Sequence, residues 1–112
     1  MIPVKDFKRE VFNWADEIGV RPREVHVREM KRKWASCSSK GRLTFSYALL
    51  NRPEEERALA IVHELLHLRY PNHNKMFRSM LSGYLGKKGI DVNNVKLGEA
   101  ADRFHNRPTQ VF

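Results

Sequence analysis

The sequence predicts an α+β fold in which a helix, a small three-stranded sheet and two further helices follow one another along the chain. Three observations indicate this order. Apolar residues repeat at helical spacing over residues 4–18, alternate with polar residues in the next segment, and return to helical spacing after Asn51. Because 112 residues provide one core and little more, we expect a single domain over residues 1–98 and a C-terminal tail over residues 99–112.

The first helix is expected over residues 4–18, because its apolar side chains fall on one stripe. Pro3 stands before this segment and Gly19 after it, and these residues are typical of the two ends of a helix. The stripe consists of Val4, Phe7, Val11, Trp14, Ala15 and Ile18. We expect this helix to be structural.

Three short strands are expected next, because apolar and polar residues alternate there. They are marked by Val25 and Val27, by residues 34–38, and by Leu43, Phe45 and Tyr47. Ser39-Lys40-Gly41 stands between the second and third of these segments and is favourable turn chemistry. We therefore expect the second and third strands to form a hairpin.

The second helix is expected to begin near Asn51, where an early proline and three consecutive glutamates are typical of a first turn. It should end at about Tyr70, because Pro71 lacks an amide donor and disfavours helical geometry in the residue before it. A third helix is expected from about His73, with an apolar face formed by Met76, Phe77, Met80, Leu81 and Tyr84.

The segment His63-Glu64-Leu65-Leu66-His67 carries the strongest functional signal of the sequence. Residues four apart on a helix lie one above the other, about 5–6 Å between Cβ atoms, so two imidazoles can bind one ion. Glu64 lies on the same side and can take a proton from metal-bound water, as in the metalloprotease motif. The opposite side is apolar, so we expect one face in the core and the other free for a cleft; the apolar side consists of Ala58, Ile61, Leu65 and Leu68.

His73 is the predicted third metal ligand. On a continuous helix it would lie about 9 Å along the axis from His67, too far to share an ion. Pro71 ends the helix before that point, so the chain can turn back towards the same metal. Three protein ligands and one open position suit a hydrolytic zinc, whose bound water has a pKa of about 7. We expect one Zn²⁺ per chain on His63, His67 and His73, with Glu64 as the general base.

The net charge of +8 is concentrated in residues 21–42, where eight Lys or Arg stand against two acidic residues. This pattern favours an acidic partner such as nucleic acid, or it only keeps a small protein in solution. The single cysteine, Cys37, excludes an internal disulfide, and no apolar run approaches the roughly 20 residues that cross a bilayer. With no recognisable signal peptide, a cytoplasmic location is expected, and the oligomeric state is left open.

Other candidate residues receive less specific roles. His26 and His105 are interpreted as surface or core histidines, and Cys37 as a small buried strand residue rather than a nucleophile or a ligand. An oxyanion-stabilising group is also expected, and its candidates are Tyr47, Tyr70 and His105, which the sequence does not rank.

Three segments in this order, residues 34–43, 63–68 and 71–77, resemble the YgjP-like metallopeptidases, relatives of the SprT and WLM groups within the zincins. The resemblance covers about residues 30–85. It implies a zincin-like fold, zinc on the three histidines and a catalytic Glu64. It further implies that the strand around Leu43–Tyr47 forms the cleft rim on which an extended peptide would pair.

The leading interpretation is a zinc-dependent metallopeptidase that hydrolyses a peptide or protein substrate. The alternative is a basic nucleic-acid-associated module whose histidine cluster is structural. A protease acting on DNA-bound proteins would combine the two, as the resemblance to SprT suggests.

The tail over residues 99–112 carries three apolar residues and two possible ligands, Phe104, Val111, Phe112, Asp102 and His105. We hypothesise that it folds into the cleft, either its own or that of a neighbouring molecule, and keeps the enzyme latent, with a frayed terminus as the alternative. Glu99 is the next candidate for the third metal ligand if His73 is not that ligand.

Overall fold

The computed structural model describes residues 1–93 and residue 95, and its elements occur in the predicted order. They are α1 (Val4–Ile18), β1 (Glu24–Arg28), β2 (Ala35–Cys37), β3 (Arg42–Ser46), the 3₁₀ helix η1 (Tyr47–Asn51), α2 (Glu54–Leu66) and α3 (Lys75–Gly86). The expected α+β fold is confirmed. The tail over residues 99–112 lies outside the described residues.

Helix α1 has the predicted bounds because both its stripe and its end signals are strong. Gly19 adopts a left-handed conformation with φ of 83°, and its amide N–H donates to the Ala15 carbonyl at 2.8 Å. The apolar stripe is buried, and the Phe7 ring meets the Phe45 ring of β3 edge-on at 5.1 Å. This contact anchors α1 on the sheet, and each fully buried side chain of this size contributes about 1.5–3 kcal/mol.

The sheet has the strand order β1-β3-β2, with β1 parallel and β2 antiparallel to β3. The predicted hairpin of β2 and β3 is present. Its turn uses Gly41 at φ of 86°, and the Ser38 hydroxyl accepts hydrogen bonds from the amides of Lys40 and Arg42 at 3.2 and 3.1 Å.

The position of β3 differs from the expectation. Both of its edges are paired, so it is not the rim strand on which a peptide can add. Among the residues that the structure describes, the unpaired edge nearest α2 belongs to β2. The strand also ends one residue earlier than the alternation predicts. The Ser46 hydroxyl accepts from the Ala48 amide at 3.1 Å and starts η1, which leaves Tyr47 exposed.

Helix α2 is shorter at both ends than predicted. It begins at Glu54 rather than near Asn51, because residues 47–51 form the 3₁₀ helix. It ends at Leu66 rather than at Tyr70, since the next residues tighten into i→i+3 hydrogen bonds. His67 is therefore the C-cap of α2 rather than an interior residue.

The expectation that one face of α2 is free for a cleft is wrong for its C-terminal half, which is buried on every side. His63 and Glu64 are buried, as are Ile61 and Leu65 on the other side of the helix. The cause is long-range packing, because β2, α1 and α3 all contact this helix. A helix covered all round lies at the centre of the fold.

Helix α3 begins at Lys75, after His73, and not at His73 as expected. Its N-cap is Asn74, whose side-chain oxygen accepts from the Phe77 amide at 2.9 Å. His73 therefore lies in the loop between α2 and α3. In the described part of the chain, no helix has the length and apolar character needed to cross a membrane.

Candidate active site

The fold brings His63, His67 and His73 together. Each offers one ligand nitrogen, and these nitrogens lie within 4.8 Å of one another. The Nε2 atoms of His63 and His73 are 2.9 Å apart, and each pair of rings has centroids separated by 4.9 Å. The cluster joins the last turn of α2 to the loop before α3, the juxtaposition that the turn at Pro71 was expected to allow.

Hydrogen bonds fix which nitrogen of His67 can bind a metal. Its Nδ1 lies 3.1 Å from the Tyr70 carbonyl, and a carbonyl only accepts, so Nδ1 carries the proton. Burial, together with the charge of His63, lowers the pKa of His67 to about 3, against the opposing effect of the Tyr70 carbonyl. The ring is therefore neutral and its Nε2 carries the lone pair, which is the form that ligates metals.

Glu64 is fully buried beside the histidines. Its Oε2 lies 3.2 Å from Nδ1 of His63, and no hydrogen-bond partner for its buried Oε1 is found among the residues that the structure describes. Burial raises the pKa of Glu64 to about 8, and the charge of Lys33 opposes this rise. A buried carboxyl group with a perturbed pKa costs stability and is characteristic of functional sites.

The Phe77 ring packs against all three histidines of the cluster. Its ring stacks on His67 at 4.6 Å and meets His63 and His73 edge-on at 5.2 and 4.9 Å. The sequence placed Phe77 on the apolar face of the third helix and in the His-x-x-x-Phe part of the family resemblance. Its contact with all three histidines was not anticipated, although its spacing of four from His73 was visible.

The remaining candidates lie elsewhere or outside the described residues. His26 lies on β1, where its Nε2 is 2.7 Å from Glu24, and it does not join the cluster. Tyr47 is exposed on η1, and Tyr70 contributes its carbonyl to His67. Neither tyrosine hydroxyl is identified as an oxyanion-stabilising group. Glu99, Asp102 and His105 lie outside the described residues.

Cys37 lies on β2 near Glu64, and its thiol is 3.5 Å from the Ser38 carbonyl. Burial raises the pKa of Cys37 to about 12, and the charge of Glu64 acts in the same direction. A thiol that stays protonated is neither a good nucleophile nor a ready metal ligand. This agrees with its interpretation as a strand residue.

The three-histidine set fits a divalent transition metal. Imidazole nitrogens suit zinc, copper, nickel and iron. Ligands about 2.0–2.1 Å from a tetrahedral zinc are about 3.3 Å apart, so the 2.9 Å between the two Nε2 atoms would widen by a few tenths of an ångström. The donor set and its burial are thus compatible with a metal at this position.

Comparison with known proteins agrees with this reading of the site. The model of the YgjP-like metallopeptidase domain matches residues 4–89. The chain is also similar to the crystal structure of the metallopeptidase zymogen of Pyrococcus abyssi abylysin, with 29% sequence identity and a TM-score of 0.61, over 68% of this chain and 76% of that one. No curated protein sequence matches significantly. The resemblance noted in the sequence is confirmed, and the chain belongs to the YgjP-like metallopeptidase family.

Proposed function

We propose that this metallopeptidase is zinc-dependent, with one zinc ion held by His63, His67 and His73 and with Glu64 as the general base. Family membership supports hydrolysis of a peptide bond. The observation that carries the finer assignment is the convergence of three imidazole nitrogens within 4.8 Å, beside a fully buried carboxyl group.

A bound zinc ion would polarise the scissile carbonyl and lower the pKa of a water molecule. Glu64 would then accept a proton at Oε1 from the attacking water and return it to the leaving amine. The nearby cation would favour the ionised form of this carboxyl group and offset the effect of burial on its pKa. The Tyr70 carbonyl would keep the His67 ring oriented throughout.

The open edge of β2 is the proposed binding site for the substrate backbone, which would pair with it as an additional strand. The Ser46 amide donates to Trp34 and the Ser38 amide to Arg42, so the alternation of an antiparallel ladder turns the main-chain groups of Ala35 and Cys37 outwards. An extended peptide can pair with these groups as an added strand. Because β2 packs on α2, such a peptide would run past Glu64.

Zinc content and hydrolysis of quenched fluorescent peptides test the proposal. The purified protein should hold one zinc per chain and cleave peptides, whereas His67→Ala and His73→Ala should lose both properties. His26→Ala is the matched control, because this histidine lies on β1 outside the cluster. Full zinc affinity in His73→Ala would move the third ligand elsewhere, with Glu99 as the next candidate.

The latency of the tail remains a hypothesis about residues 99–112. The similar abylysin structure is that of a zymogen, and this supports carrying the idea forward. Truncation before Glu99 should raise the rate of casein or peptide cleavage in the presence of zinc. Equal rates in the full and truncated proteins, both folded by circular dichroism, would rule latency out.

A further inference from the structure

A cavity of about 650 Å³ opens next to His67, between the hairpin turn of β2 and β3 and the turn that follows α2. Its size is within the roughly 300–1,000 Å³ of typical ligand pockets. Val20 and Leu68 give it half-buried apolar walls, and His67 connects it to the histidine cluster. A group bound here would lie next to the proposed catalytic centre.

All charged side chains that line the cavity are basic, namely Arg21, Lys40 and Arg69. Arg69 donates to the Gly19 carbonyl at 2.9 Å, which fixes its guanidinium at the C-terminus of α1. Neither Arg21 nor Lys40 forms an ion pair within the described part of the chain. Among the described residues that line it, the cavity thus carries positive charge and no counter-charge.

The cavity lies at the end of β2 that leads into the hairpin turn. Cys37 is the last residue of that strand, and the next four residues form the hairpin turn that lines the cavity. A peptide that extends along β2 past Cys37 would approach the cavity, and His67 places the cavity next to the proposed catalytic centre. The apolar walls suit the methylene groups of a substrate side chain, and the cations suit a carboxylate at its end.

We propose that this cavity is a substrate subsite that receives an acidic side chain, preferably glutamate, and that Arg21, Lys40 and Arg69 determine this preference. The inference rests on the proposed peptidase function and names the substrate class of the same site. It favours a peptide over nucleic acid, because the cations meet in one concave site with apolar walls. A nucleic acid would require a basic track along successive phosphates.

Binding of labelled peptides tests the subsite independently of catalysis. The protein is the full-length Glu64→Gln variant loaded with zinc, and the probes are short fluorescein-labelled peptides that differ by Glu, Gln or Lys at one scanned position. At the position that meets the cavity, Glu should bind about tenfold more tightly than Lys, since partly exposed ion pairs are individually weak but act together here. The preference should shrink as the salt concentration rises.

The double variant Arg21→Glu/Lys40→Glu should abolish or reverse this preference. The control Lys5→Glu/Lys8→Glu changes the net charge equally towards the N-terminal end of α1, about 15–20 Å from Ile18, and should keep the preference. An equal Glu-over-Lys preference in parent and double variant would overturn the proposal. So would a single-stranded oligonucleotide that binds through Arg21 and Lys40 more tightly than the Glu peptide does.

Cleavage assays separate failure of the subsite from failure of the proposed function. If the zinc-loaded parent cleaves a Gln peptide and a Glu peptide equally well, the peptidase stands and the subsite preference is wrong. If neither peptide is cleaved, by the full-length protein or after truncation before Glu99, but the Glu preference in binding persists, the cavity proposal stands and the peptidase function fails.

Discussion

The two halves of helix α2 use charged and polar residues in opposite ways. In the N-terminal half, two charged residues form ion pairs with residues outside the helix. Glu56 contacts Arg52 at 2.7 Å, and Arg57 contacts Glu10 at 2.8 Å. The negative charges of the glutamates in the first turn also interact favourably with the positive end of the helix dipole. In the C-terminal half, His63 and Glu64 are buried among apolar residues. The first half stabilises the fold, and the second carries groups whose burial costs stability.

The difference shows where to look for chemistry on one continuous helix. A 430 Å³ cavity beside the N-terminal half is lined by Glu10, Glu54 and Glu55, but these side chains are exposed or ion-paired. The buried half supplies His63 and a carboxyl oxygen of Glu64 that has no described partner, and the nitrogens of His67 and His73 converge with His63 just beyond its end. Burial of polar groups, rather than their number, distinguishes the two regions.

The largest expected effect is that of Glu64→Gln in the buried half. Removal of the proposed general base should lower peptide hydrolysis by about 10²–10⁴-fold. Zinc content should not change, because Glu64 is not a proposed ligand. The matched control is Glu55→Gln in the exposed half of α2, with unchanged kcat/KM. Cleavage by Glu64→Gln at the parent rate would end the assignment of Glu64 as the base.

The reactivity of Cys37 tests how far burial near Glu64 raises the pKa of this thiol. With a pKa of about 12, the folded thiol should react with iodoacetamide at pH 8 about 10³-fold more slowly than the unfolded chain, whose thiol has a pKa of about 8.5. The unfolded state loses its proton first, so the free energy of unfolding should fall above about pH 8.5. Cys37→Ala should remove that dependence. Equal alkylation rates in folded and denatured protein would contradict the prediction.

A smaller effect is expected at Phe77, which positions the histidines without binding metal. Phe77→Leu keeps an apolar side chain but loses the ring contacts, so zinc affinity should fall by about tenfold in a chelator competition. Phe12→Leu, on the exposed side of α1, serves as control. Unchanged affinity in Phe77→Leu would mean that the ring only fills space.

The smallest effect is expected at the ion pair that joins Glu10 of α1 to Arg57 in the N-terminal half of α2. Glu10→Gln weakens a bidentate contact with Arg57 and should lower the free energy of unfolding by about 1 kcal/mol, with kcat/KM unchanged. Asp6→Asn, in an exposed pair 3.6 Å from Arg9, should cost less in the same denaturation assay. A loss of activity in Glu10→Gln would show that the two halves are coupled.

Local signals in the sequence were sufficient for much of this architecture. The bounds of α1 followed from its stripe and from Gly19, and the hairpin followed from the turn residues before Arg42. The proximity of His73 to the other two histidines was expected from a chain reversal at Pro71, although α2 already ends at Leu66.

Features that depend on distant contacts were not predictable in this way. Alternation over Leu43 and Phe45 indicates a strand but not whether that strand is central, because β1 joins it in parallel from another part of the chain. Similarly, the helical pattern placed His63 on a free face, whereas long-range packing of β2, α1 and α3 on α2 accounts for its burial. The cavity beside His67 likewise needs two turns that are distant in sequence.

The hydrogen bond from His67 to Tyr70 uses a main-chain acceptor, and this has a consequence for sequence variation. Any residue at position 70 presents the same carbonyl, so substitutions there leave the orientation of the imidazole intact. An insertion or deletion between His67 and Pro71 would displace the acceptor. In related chains, the number of residues between the counterparts of His67 and Pro71 should therefore be constant. The residue type at position 70 should vary freely, because only its carbonyl is used.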